Sequence, residues 1–227
     1  MLFPKKQNIT FPEDLDSSAH VYYAPIMGHF YQRKLELLCH FLDGQQERRV
    51  LEIGFGSGMA LTELSRRFEK VDALDIHDHF KEVEDMLQRE GIKNVSLFQH
   101  NIFERSFADE GWYDCVFSSS VFEHIPESIM EEGIRNIAQC LTRDGHLLIG
   151  FPLKTSAMDG LFKLYEHTFK RLRKNAYDFS SEKDHVSGEK EIIPRLEKYF
   201  TIEDQKYYFN NFVKLYTVLK CKKRATL

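Results

Sequence analysis

The chain has 227 residues, enough to bury one substantial core, and its hydrophobic and charged fractions of 42% and 29% exclude the disordered and collagen-like classes. A formal net charge of -4 gives no overall attraction to phosphate backbones, so no nucleic-acid partner is expected. Cys39, Cys115, Cys140 and Cys221 form no C-x-x-C pair, no apolar segment of signal-peptide type follows Met1-Leu2-Phe3-Pro4-Lys5-Lys6, and no apolar run nears about 18 residues, so reduced cysteines, no spanning helix and a cytoplasmic setting are expected.

Residues 1–20 are mixed and turn-rich, with Pro4, Pro12 and Ser17-Ser18, and predict an arm rather than core. Tyr31, Leu35, Leu38 and Leu42 then recur at helical spacing and Gly44 follows as a stop, which predicts an entry helix. Val50-Leu51-Glu52-Ile53 is a short apolar run that ends in a glycine-rich turn, and Leu61, Leu64 and Phe68 share one helical face after it. The alternation continues with a strand over 71–75, a helix carrying Phe80, Val83 and Leu87 and stopped by Gly91, and strands over 94–98 and 113–118. A helix from near Pro126 carries Met130, Ile134, Ile137 and Leu141, and Asp144-Gly145 turns into a strand over 146–151. Strands alternating with helices predict a parallel sheet covered on both faces. After Pro152 a longer insert runs to about Gly188, followed by a helix over 189–199. Two closing strands, 200–208 and 212–221, flank Asn210-Asn211 and predict an antiparallel hairpin. The whole reads as one domain over 1–227, with an N-terminal helical arm to about residue 45 and a lid-like insert over about 153–188.

The chemistry concentrates in Leu51-Glu52-Ile53-Gly54-Phe55-Gly56-Ser57-Gly58, between a strand and a helix. Glycines there let the backbone turn tightly and approach a ligand closely. The helix after them presents free N–H groups suited to a carboxylate, while Glu52 at the strand end offers an acceptor to an ammonium group. A ligand with both groups is an amino acid, which fits the methionine half of S-adenosylmethionine. Asp75 ends the next strand, where a carboxylate can accept from both ribose hydroxyls.

These residues resemble the class I S-adenosylmethionine-dependent methyltransferases, particularly those acting on small molecules. The resemblance covers roughly residues 48–221 and rests on the E-x-G-x-G-x-G loop at Glu52 to Gly58, Asp75, Tyr113-Asp114-Cys115-Val116, Leu141-Thr142-Arg143-Asp144-Gly145-His146 and the terminal hairpin. It implies a doubly wound, mostly parallel seven-stranded α/β sheet with helices on both faces and an antiparallel C-terminal strand. It also implies S-adenosylmethionine as cofactor, held by Glu52, Gly54, Phe55, Gly56, Ser57, Gly58, Asp75, Ile76, Asn101, Ile102 and Ser118. Where the family often has an acidic residue after the third strand, this chain reads Gln99-His100-Asn101-Ile102, which leaves the Asn101 amide oxygen as acceptor. Ser118-Ser119-Ser120 replaces the Asn/Asp-Pro-Pro-aromatic signature of enzymes that methylate adenine or glutamine amino groups, which disfavours those acceptors.

His77-x-His79 has no identifiable third ligand, so no metal is expected. His124 follows the fourth strand, at the sheet edge where ligands of such folds sit, and His185 lies in the insert, in a segment resembling one that leads toward the substrate cavity. Either histidine is a candidate general base for an acceptor hydroxyl, against the plainer reading of a structural or exposed loop residue. Met158, Leu161, Phe162, Tyr165, Phe169 and Leu172 form an apolar stripe beside Lys163, Lys170, Arg171, Arg173 and Lys174, so the helix over 158–174 either packs on its own domain or touches an anionic membrane. The expected acceptor is a small molecule, with a hydroxyl of a sugar or lipid intermediate as the specific form. A nicotinamide oxidoreductase is the rival enzyme, but its G-x-G-x-x-G spacing differs from the even spacing of Gly54, Gly56 and Gly58. The other rival is a cofactor-binding scaffold without catalysis. Oligomeric state is not legible.

Overall fold

Short apolar runs become central strands because both their faces are covered. In β1 (Arg49–Ile53) every residue after the first is buried, and it lies between β2 (Lys70–Asp75) and β4 (Tyr113–Ser119), parallel to both. The computed structural model describes residues 1–11, 18–25, 27–43, 48–153, 185–209 and 214–225. With β3 (Val95–Gln99), β5 (Leu141–Pro152), β6 (Phe200–Phe209) and β7 (Lys214–Lys223), the strands form one sheet in the order β3-β2-β1-β4-β5-β7-β6. Strands β1 to β5 pair in parallel, and β7 runs antiparallel between β5 and β6. The expected doubly wound fold with a reversed last strand is therefore present.

Alternation along each strand divides the interior into two cores. Val50, Cys115, Phe117, Leu148 and Val218 face one cluster, shared with α1 (Met27–Cys39), α2 (Leu61–Arg67) and α3 (Phe80–Glu90). Leu51, Val116, Leu147, Ile149 and Leu219 face the other, under α4 (Glu127–Cys140) and α5 (Glu189–Tyr199). No helix among the described residues is long and apolar enough to cross a membrane.

Two expectations are corrected. The segment before α1 is not an arm apart from the core: Phe11, Ala19, Val21 and Tyr22 are buried in the first cluster. Backbone donors tie it down, since the Leu2 amide donates to Glu63 at 2.8 Å and the Lys5 amide to Glu90 at 2.6 Å. Glu63, whose carboxyl burial alone would raise, is instead held down to about 2 by hydrogen bonds from Arg66, Arg67 and Leu2. The second correction concerns Asp144-Gly145, which lies inside β5 rather than ahead of it. Leu141 pairs with Tyr113, the ladder is interrupted, and pairing resumes at His146 with Cys115, so residues 142–145 form a bulge. The expected hairpin turn at Asn210-Asn211, the basic helix 158–174 and most of the insert over 153–188 lie outside the described residues.

Candidate active site

Strand order reverses at β1, since β2 lies on one side and β4 on the other, and the crevice at the carboxyl ends of such strands is where ligands bind. The glycine loop sits there. Gly54, Gly56 and Gly58 all have left-handed backbones, with φ of 73°, 51° and 73°. At Gly54 an added Cβ would lie 2.2 Å from Val121 Cγ2, and at Gly58 2.8 Å from Val83, so these two glycines also permit close packing. Gly56 differs, because nothing lies within 4 Å of the Cβ position: it faces open space where a ligand can approach the backbone.

The residues after β2 brace this loop. Asp75 Oδ2 accepts from the Gly56 amide at 2.8 Å, while Oδ1 accepts from the amides of Ile76 at 2.7 Å and His77 at 3.3 Å. The His79 amide donates to His77 Nδ1 at 3.0 Å, which leaves Nε2 as the donor toward the Gly56 carbonyl at 3.0 Å. Phe55 packs edge-on against His77 and Phe80 at 5.0 and 5.3 Å. The H-x-H pattern thus holds the turn, with both His77 nitrogens committed to backbone.

The loop borders a cavity of about 190 Å³, lined by Tyr22, Tyr31, Lys34, Leu35, Met59, Ala60, Ser119, Ser120 and His124 together with Glu52 and residues 54–57. Glu52 is 4% exposed, and its Oε2 is buried without a hydrogen-bond donor among the described residues. Burial first, and the Asp75 carboxylate second, push its carboxyl up to about 8. A buried acceptor at the wall of a cavity, short of a donor, is what an ammonium group satisfies.

A family model of the methyltransferase domain matches residues 27–185, from α1 to the segment ahead of α5. The chain belongs to the methyltransferase domain family. Among curated proteins, a ubiquinone biosynthesis O-methyltransferase of Alkalilimnicola ehrlichii is 24% identical over 74% of this chain and 70% of its own length. A malonyl-[acyl-carrier protein] O-methyltransferase of Bacillus cereus is 31% identical over 44% of this chain and 36% of its own. Among solved structures, the N-methyltransferase NodS of Bradyrhizobium japonicum in complex with S-adenosyl-L-homocysteine superimposes with a TM-score of 0.64, at 16% identity over 96% and 97% of the two chains.

The protein is a class I S-adenosylmethionine-dependent methyltransferase. Its residues fit that cofactor: the orphaned Glu52 oxygen suits the ammonium, and the open side of Gly56 gives the amino-acid end room against the backbone. A dehydrogenase reading of the glycine loop is excluded by family membership. Other expected contacts are distributed unequally. Phe55 and Ser57 line the cavity, and Ile76 is 69% exposed beside Asp75, an apolar surface at the crevice mouth. Asn101 Oδ1 accepts from the Phe103 amide at 3.1 Å and so caps its own turn. Ile102, expected at the cofactor, is 1% exposed within the second core. Ser118, also expected there, is fully buried and donates to the Ile53 carbonyl at 3.3 Å. The cavity is met by Ser119 and Ser120 instead, because β4 ends at Ser119 and Ser120 turns with φ 58°.

His124 and His185, expected separately, are adjacent. Their rings lie 4.9 Å apart at 72°, and Glu123 joins them. Sequence reasoning missed Glu123, Lys34 and the tyrosines around Lys34. Lys34 is 6% exposed, its Nζ stands 4.1 Å from the Tyr31 ring centre and 5.1 Å from that of Tyr216, and it donates to Ser120 Oγ at 3.3 Å. Tyr216 hydroxyl is hydrogen-bonded to Ser119 and Ser120 at 3.0 and 3.1 Å, and burial followed by the Glu123 carboxylate pushes its phenol up. One signal was available: Lys34 falls on the stripe of Met27, Tyr31, Leu35 and Leu38, a charge where the helix period calls for an apolar side chain.

Proposed function

We propose that this methyltransferase methylates a hydroxyl oxygen of a small acceptor, such as a sugar or a lipid intermediate, presented to the Glu123–His124–His185 cluster. The observation that carries the reading is that His124 lines the cavity of Glu52 and the glycine loop while contacting His185, so groups able to draw off a proton stand beside the cofactor residues. The relatives from Alkalilimnicola ehrlichii and Bacillus cereus are O-methyltransferases, which favours oxygen over nitrogen.

Bound S-adenosylmethionine supplies an electrophilic methyl group on positively charged sulfur. Glu52 would take the ammonium, and the open side of Gly56 leaves the carboxylate room against the loop backbone. Asp75 has committed both oxygens to the loop, yet a carboxylate accepts about four hydrogen bonds, so it retains capacity for ribose. Tyr31, Lys34 and Tyr22 wall the acceptor side and restrict how an acceptor lies. His124 meets the acceptor, and the cluster lowers the cost of losing the hydroxyl proton. Residues 1–227 act as one domain in this reading.

The test is product analysis with S-adenosylmethionine and a panel of hydroxyl, carboxyl and amine acceptors, in wild type and His124→Ala. Methyl transfer to a hydroxyl is expected, reduced by about 10²–10⁴-fold in the variant with cofactor affinity intact. Transfer to nitrogen alone, or full turnover in His124→Ala, overturns the proposal.

A further inference from the structure

We propose that Glu123, His124 and His185 form a binding site for one divalent first-row transition-metal cation on the acceptor side of the cavity. Each offers one ligand atom, and the three atoms lie within 4.8 Å of one another. The expectation of no metal came from His77-x-His79, which the loop consumes. This trio unites the turn after β4 with a segment about sixty residues further along the chain.

The two segments are stitched together by main-chain bonds. The amides of Val186 and Ser187 both donate to the Glu123 carbonyl, at 2.8 and 3.1 Å, and Ser187 Oγ donates to the Ile125 carbonyl at 2.7 Å. Residue 185 is thereby held against residue 124. Glu123 is 2% exposed, whereas His124 is exposed and His185 half-buried, so a buried carboxylate stands beside two more accessible rings. Ligands around a tetrahedral ion at about 2.0–2.1 Å stand roughly 3.4 Å apart, so the rings need approach by no more than about 1.5 Å.

Two imidazoles and one carboxylate suit zinc, cobalt or iron(II), whereas magnesium prefers oxygen ligands and retained water. Three protein ligands also leave a coordination position open, as in catalytic rather than structural sites. His124 belongs to the cavity wall shared with Glu52 and the glycine loop, so a cation held there would stand beside the space an acceptor enters. The inference deepens the hydroxyl-acceptor reading and rests on it for its chemical consequence: a hydroxyl oxygen bound to the cation gives up its proton to solvent more readily. Metal binding itself requires no acceptor.

The experiment uses the full-length chain without an affinity tag, stripped by dialysis against a chelator and titrated with Co²⁺ and with Zn²⁺. Calorimetry should give one cation per chain, and cobalt should show ligand-field absorption of a coordination number below six. His185→Ala and His124→Ala should each weaken binding by about tenfold or more while S-adenosylhomocysteine binding is retained. His40→Ala, at an exposed histidine elsewhere, should bind cobalt normally. Absence of stoichiometric binding at about tenfold cation excess, or binding undiminished in both alanine variants, overturns the site. If cobalt fails to bind but His124→Ala still abolishes turnover, the cation is overturned and direct proton transfer to imidazole stands. If cobalt binds as expected but the methyl is found on nitrogen, the metal site stands and the hydroxyl reading falls.

Discussion

Replacing Glu52 with glutamine removes a buried carboxyl at the cavity wall, and its consequences follow from protonation. In the empty protein the carboxyl is raised from 4.5 to about 8, so holding it charged there costs about 5 kcal/mol more than in water. Between pH 4.5 and 8 the unfolded chain has lost this proton and the folded one has kept it, so the fold loses stability as pH rises through that window. Glutamine has no such penalty, and the empty Glu52→Gln protein should melt several degrees above wild type at pH 8–9. Cofactor binding couples to the same proton. The complex pairs carboxylate with ammonium, and the cofactor's amine titrates near about 7.7–8.0. Below that range wild-type binding should therefore release about one proton per molecule at pH 6, and above it binding should take up a proton. Affinity should peak near pH 8, which makes both limbs visible. Calorimetry in buffers of different ionisation enthalpy measures the proton count directly. Glu52→Gln should show no release at pH 6 and should bind about 10–100-fold more weakly at pH 8, the loss of a charge-assisted hydrogen bond. Proton release at pH 6 that persists in Glu52→Gln, or an unchanged affinity at pH 8, would refute the assignment of Glu52 to the ammonium.

Asp75→Ala should weaken S-adenosylhomocysteine binding by about 1.5–3 kcal/mol, because it frees the Gly56 amide as well as any ribose contact; unaltered calorimetric affinity would exclude both roles. Gly54→Ala combines a left-handed backbone with a 2.2 Å approach to Val121 and should cost about 2–4 kcal/mol in urea unfolding. Gly56→Ala meets no protein atom, so it should cost only about 1–2 kcal/mol in stability and register mainly as lost cofactor binding. The low pKa of Glu63 contributes stability that is fully present above pH 4.5 and disappears as pH falls toward 2. Glu63→Gln should therefore destabilise by about 3–5 kcal/mol at pH 7, a difference that shrinks on acidification in a denaturant series from pH 7 to 3.

Period and punctuation made the α/β alternation legible in the sequence. Val50-Leu51-Glu52-Ile53 is apolar on both faces because β1 is covered on both, and Gly54, Gly56 and Gly58 mark the left-handed turn that follows it. Those are local properties of the backbone, so one sequence displays them, and with them the crevice that receives the cofactor. What a side chain faces beyond its own element was decided only by tertiary packing. Ser118 and Ile102 sit beside the right loops but point into the cores, one residue of strand alternation separating a buried serine from Ser119 at the cavity. Lys34 acquires a role because α1 lays that stripe against Tyr216 of β7. Glu123, His124 and His185 become one cluster because Val186 and Ser187 bind the Glu123 carbonyl, a contact with no periodic trace. Local turn chemistry is written residue by residue, whereas convergence of distant side chains depends on loop closure and packing that only the folded chain supplies.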